Sequence, residues 1–292
     1  MGRSRILDRR VSRSVVTIQR FNAPTNPMPN RIEECFARLR AEKRKGFIPY
    51  ICAGDPTMAQ TVELSRALEK AGADILELGL PFSDPLADGI VNQLAAQRAL
   101  TAGATARGVL ECVRAIRQFS QIPIVLYAYM NPIFQFGWDN FHREAEAAGV
   151  DGLLILDLPP EEDAGLTTDE LVHIRLIAPT TPPERMKRIA QVAKGFIYYV
   201  SREGVTGARK EVASSLGESV AVLRGFTSLP IAVGFGISTP AQAREAAQHA
   251  DAVVVGSAIV AKIGESAAGP GLMEKVMATV SPMIEAVKSV AG

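Results

Sequence analysis

Short apolar runs recur along the chain, each followed by a polar or amphipathic stretch. They cover residues 47–52, 73–80, 122–130, 152–158, 174–179, 195–201, 231–236 and 252–256. Their apolar positions are contiguous rather than alternating, which marks strands buried on both faces, as in a parallel sheet. Between them, residues 57–70, 104–119, 183–193, 212–223 and 240–249 read as helices; the first carries Val62, Leu64 and Leu68 and ends before Gly72. Parallel neighbours need long crossovers, and helices supply them compactly. A further helix, 32–45, precedes the first strand, with Ile32, Cys35, Phe36 and Leu39 on one face. Eight strands alternating with helices predict an α/β fold, a single (β/α)8 TIM barrel with an extra N-terminal helix. A doubly wound open sheet is the alternative that periodicity alone does not separate.

Residues 1–30 break this pattern. They hold six arginines and one acid, Asp8, with no sustained apolar period. Such a composition resembles a transit peptide; a chain starting at Met28 is the other reading. Either way, residues 1–30 are expected to be a flexible extension outside the fold, leaving residues 31–292 as the barrel domain. The remaining composition chiefly excludes. Lys plus Arg is 32 and Asp plus Glu is 31, so neither nucleic acid nor a membrane is an expected partner. No apolar stretch reaches the ~20 residues that span a bilayer. Cys35, Cys52 and Cys112 form no C-x-x-C and are read as reduced thiols in a cytoplasmic protein, with no metal site. His142, His173 and His249 are read as surface or packing residues.

In such barrels the chemistry sits at the C-terminal strand ends and the loops after them. Glu77 lies inside the second apolar run. It is either a salt-bridged carboxylate or a general acid/base whose pKa is raised by desolvation. Asp88 lies just before a helix, as an N-cap or as a fixed negative charge facing a cationic or N–H-bearing substrate. Two glycine-rich turns, Gly234-Phe235-Gly236 and Gly256-Ser257, follow the last two strands, where barrels commonly bind phosphate. Residues 201–210 carry two glycines and several polar residues, the make-up of a mobile lid.

The stretch Glu77-Leu-Gly-Leu-Pro-Phe-Ser-Asp-Pro-Leu-Ala-Asp88-Gly resembles the signature of the tryptophan synthase alpha chain family. Gly54-Asp-Pro-Thr57, Tyr129-Met-Asn131-Pro, Leu156-Asp157-Leu-Pro159, Ser201-x-x-Gly-Val-Thr-Gly207 and Gly234-Phe-Gly236-Ile agree with it in order and spacing.

The resemblance implies a TIM barrel that splits indole-3-glycerol phosphate into indole and glyceraldehyde 3-phosphate by a retro-aldol reaction, with no cofactor. It implies an α2β2 complex with a tryptophan synthase beta chain; a free-standing lyase on the same scaffold is the alternative. By resemblance, Glu77 is the acid/base at indole C3, Asp88 the carboxylate at the ring N–H, and Tyr198 an active-site tyrosine. Tyr50, Leu126, Tyr129 and Leu154 line the substrate pocket, and Thr206 is the lid threonine. Gly207, Gly234, Phe235, Gly236, Gly256 and Ser257 hold phosphate, and Asp84, Asn131 and Pro132 meet the beta chain. One departure lies beside the site. After Asp88-Gly89 the family often has Pro-x-Ile-Gln, whereas this chain has Ile90-Val-Asn92-Gln93, a polar residue at a pocket position that is otherwise apolar.

Overall fold

The computed structural model describes residues 30–163, 171–200, 209–234, 236–267 and 269–292. The strands are β1 (Gly46–Cys52), β2 (Leu76–Gly79), β3 (Ile124–Ala128), β4 (Gly152–Ile155), β5 (Val172–His173), β6 (Arg175–Ile177), β7 (Ile197–Val200), β8 (Ile231–Gly234) and β9 (Ala252–Val255). The helices are α1 (Arg31–Ala41), α2 (Met58–Ala71), α3 (Ile90–Thr101), α4 (Ala106–Arg117), α5 (Met130–Phe136), α6 (Trp138–Ala148), α7 (Pro183–Val192), α8 (Arg209–Arg224), α9 (Pro240–His249), α10 (Ser257–Ser266) and α11 (Leu272–Lys288).

All the strands belong to one parallel sheet ordered β5-β4-β3-β2-β1-β9-β8-β7-β6. Its first and last strands are separated in the chain by Ile174 alone. They are one interrupted strand, so the sheet closes on itself. This is the eight-stranded barrel rather than the open sheet.

Alternate strand residues face opposite ways, and two cores result. Phe47, Ile51, Leu76, Leu78, Leu126, Leu153, Ile197, Val233 and Val253 pack outward under the helices. Ile48, Tyr50, Ile75, Val125, Tyr127, Leu154, Tyr198, Ala232 and Val254 pack inside the barrel. The α1 residues Ile32, Cys35, Phe36 and Leu39 join this inner cluster and close the N-terminal end of the barrel. Asn30 caps α1 by accepting from Ile32 N–H at 2.9 Å, and its amide donates to the Asp151 carbonyl.

Three aspartates fasten that end. Asp74, Asp151 and Asp251 each stand just ahead of a strand, and each carboxylate accepts an N–H from the first or second residue of a neighbouring strand. The donors are Phe47 at 2.9 Å, Ile124 at 2.7 Å and Ile231 at 2.7 Å. Asp151, only 3% exposed, also holds Arg31 and Arg117 at 2.7 Å each.

The elements differ from the sequence reading in places. The apolar run 122–130 stops being strand at Ala128, and Met130 begins α5. The sequence reading places a helix after Asp88 without bounds, the observed α3, and has no counterpart for α5, α6, α10 and α11. The buried face of α3 is only Ala95, Ala96 and Ala99, too small to register as an apolar period, and α11 contains Pro282, a residue that argues against helix. His142 and His173 form a buried stacked pair, with Nε2 atoms 3.1 Å apart, between α6 and β5. Cys35, Cys52 and Cys112 are buried free thiols.

Candidate active site

Glu77, Tyr50, Tyr127, Leu154 and Tyr198 share the inner face of the barrel. For Glu77 this follows from alternation, since Leu76 and Leu78 lie in the outer core and Ile75 in the inner one. Glu77 is 2% exposed. Burial, and secondarily the charge of Asp88, push its carboxyl up to about 8. It is therefore mainly protonated at neutral pH and can donate.

Asp88 comes from the β2–α3 loop. It does not cap α3: the N-cap is Gly89, without a side-chain bond. Its carboxylate instead turns inward and accepts from Tyr127 Oη at 2.8 Å and Tyr129 Oη at 2.9 Å. The Tyr129 hydroxyl also accepts from Ala87 N–H at 3.0 Å, tying the loop to the end of β3. Asp55, buried in the loop after β1, grips Arg98 of α3 through both carboxylate oxygens at 2.8 and 2.7 Å. This bidentate pair fixes the helix that follows Asp88.

Tyr50, Tyr127 and Tyr198 are all raised well above the ordinary tyrosine range, chiefly by burial, and remain neutral hydrogen-bond donors. Glycine makes room for two of them. A Cβ at Gly79 would overlap the Tyr50 hydroxyl, and one at Gly234 would come within 2.5 Å of the Tyr198 hydroxyl.

Elsewhere around the mouth, Gly234 ends β8 and Gly236 takes a positive φ of 76°. Gly256 stands at the N-cap of α10 without a capping side chain, and Ser257 is the first residue of that helix. An uncapped helix start beside a glycine turn offers N–H groups to an anion.

The remaining sequence-assigned residues divide. Leu126 does not reach the site: it lies in the outer core beneath the helices, and Tyr127 is the inward residue of β3 there. Assignment by resemblance named Leu126 and missed Tyr127, whose inward direction follows only from the pairing of Val125 with Glu77 and alternation along β3. Asp84 and Asn131 are exposed and Pro132 is half-buried, on the β2–α3 loop and α5. Thr206, Gly207 and Phe235 lie outside the described residues.

The family model described as tryptophan synthase alpha chain matches residues 36–288. A tryptophan synthase alpha chain of Opitutus terrae is 51% identical over 256 residues, covering 86% of this chain and 96% of that one. One from Geobacter sp. strain M21 is 48% identical over 262 residues, covering 88% and 98%. Among solved structures, tryptophan synthase subunit alpha of Legionella pneumophila superposes with a TM-score of 0.81 at 39% identity, covering 90% of this chain and all of that one.

Proposed function

The chain belongs to the tryptophan synthase alpha chain family, and on that footing we propose how its mouth residues carry out the lyase reaction of tryptophan biosynthesis, the cleavage of indole-3-glycerol phosphate. The observation that carries the reading is the pair at the mouth: a buried Glu77, its carboxyl pushed up to about 8, with Asp88 close enough for its charge to add to that rise. Breaking the bond between indole C3 and the glycerol carbon needs an electron sink. Glu77 donates its proton to C3, and the ring nitrogen becomes an iminium. Asp88 accepts the ring N–H and offsets that positive charge. The glycerol hydroxyl then loses its proton, an aldehyde carbonyl forms, and the electrons of the broken bond return to the ring as indole. Tyr50, Leu154, Tyr129 and Tyr198 shape the pocket around the ring, with Thr206 closing over it. The turns at Gly207, Gly234–Gly236 and Gly256–Ser257 hold the phosphate, whose binding places the reacting bond.

The partner is a tryptophan synthase beta chain, in an α2β2 assembly in the cytoplasm. Leu86 at 91%, Ile90 at 65% and Phe134 at 64% exposure lie on or next to the same two segments as Asp84, Asn131 and Pro132, and exposed apolar side chains of this size are of the kind that a partner covers. Among the described residues no helix is long and apolar enough to cross a membrane. Residues 31–292 form the catalytic domain, and residues 1–30 lie ahead of it.

The test is indole release from indole-3-glycerol phosphate by the purified chain, alone and with a beta chain. Slow release that rises sharply with the partner supports the subunit role. Fast release indifferent to the partner supports a free-standing lyase. No release in either arm overturns the assignment of Glu77 and Asp88.

A further inference from the structure

Two polar side chains at the mouth are not used by the mechanism above. Asn92 stands one helical turn after Asp88, at the position where the family often carries an isoleucine. Its Nδ2 donates to Asp88 Oδ1 at 3.3 Å. A carboxylate only accepts, so this contact fixes the amide with its nitrogen toward Asp88 and its carbonyl turned away. That carbonyl oxygen is buried and has no hydrogen-bond partner. Tyr127 Oη donates to the same Asp88 Oδ1 at 2.8 Å, and Tyr129 Oη to Oδ2 at 2.9 Å. Three donors thus occupy three of the roughly four lone-pair positions on Asp88. Asp88 also sits on a loop whose neighbours Asp84, Leu86, Ala87 and Gly89 are exposed. Without these donors the carboxylate would be free to turn to solvent. Tyr127 reaches it from the barrel wall and Asn92 from α3, so the carboxylate is also held from two elements outside its own loop.

We propose that Tyr127 and Asn92 are positioning residues for the cleavage, gripping Asp88 Oδ1 together so that the remaining lone pair, on Oδ2, receives the N–H of the substrate ring. The inference rests on the lyase reading of the site and adds to it. The preorganisation that stabilises the ring cation comes from these two side chains as well as from Asp88 itself.

The experiment compares Tyr127→Phe, Asn92→Leu and the double variant with the wild-type chain, in indole-3-glycerol phosphate cleavage and in thermal melting. Tyr127→Phe lowers kcat about tenfold or more, the loss of one hydrogen bond to a charged group, and leaves KM within about twofold. Asn92→Leu lowers kcat by a smaller factor, its hydrogen bond being the longer one at 3.3 Å, and likewise leaves KM within about twofold. The double variant loses less than the product of the two, since both side chains act on Asp88 Oδ1. Both single variants move the alkaline limb of the pH profile upward, because Glu77 then faces a less neutralised Asp88. Asn92→Leu melts at or above the wild-type temperature, since an unpartnered buried carbonyl is removed. Variants with wild-type kcat, KM and pH profile, beside a wild-type chain that cleaves, overturn this inference and leave the lyase reading standing. A wild-type chain that releases no indole overturns the lyase reading and this one with it.

Discussion

The strongest consequence of the structure concerns the pH at which Glu77 can act. A carboxyl near 4.5 is protonated in only about three molecules per thousand at pH 7, whereas one near 8 is protonated in about nine of ten. Burial at 2% exposure produces most of that difference, and the Asp88 charge adds to it. Between pH 7 and 10, kcat/KM for indole-3-glycerol phosphate should hold level at first. It should then fall about tenfold per pH unit once above about 8, because the general acid is lost. Working above pH 7 keeps the second ionisation of the substrate phosphate, near pH 6, out of the profile. Glu77→Gln should lower kcat/KM by about 10² to 10⁴ and abolish the limb, with unchanged circular dichroism. Asp88→Asn, followed on its residual activity, should shift the limb downward, since the second cause of the raised pKa is gone. A wild-type profile flat to pH 9.5, or a Glu77→Gln chain of near-normal turnover, would refute the assignment of Glu77 as the acid.

Other outcomes follow from the same structure. Glu77's folded pKa lies above its unfolded value. Its contribution to stability is therefore fully present below about 4.5 and is lost as pH rises through about 8. Urea unfolding at pH 6 and pH 9 should show Glu77→Gln losing less stability than wild type over that interval, and parallel losses would contradict the burial argument. Asp151→Ala strips a buried carboxylate from Arg117, Arg31 and the Ile124 N–H; it should cost about 3 kcal/mol or more in denaturant titration, and a cost under about 1 would mean water replaces those contacts. Gly79→Ala drives a methyl into the Tyr50 hydroxyl. It should destabilise by about 1–3 kcal/mol, and Tyr50→Phe in the same chain should recover part of the loss; no recovery would place the strain elsewhere.

Much of this protein is written in its local sequence. Contiguous apolar runs at regular spacing determine the parallel strands, because a strand covered on both faces has no polar side to alternate with. The same contiguity hides orientation. In Ile124–Ala128 every residue is buried, so nothing local says that Leu126 faces the helices and Tyr127 the barrel interior; closure of the sheet decides it. It also hides where a strand stops, as the passage from Ala128 to α5 shows. Glu77 is conspicuous in sequence as a charge inside an apolar run, yet its raised pKa depends on burial contributed by β1, β3 and β7. Asp88 reads locally as a helix cap. Only the folded loop, pinned by Tyr129 and reached by Tyr127 from 39 residues away, turns it inward. The sequence by itself therefore determined the strands, the acid residues and the glycine turns, because these are set by composition and short spacing. The tertiary structure decided which side chains converge and in what protonation state, because convergence in a closed barrel depends on register between strands, and protonation depends on the solvent that distant segments exclude.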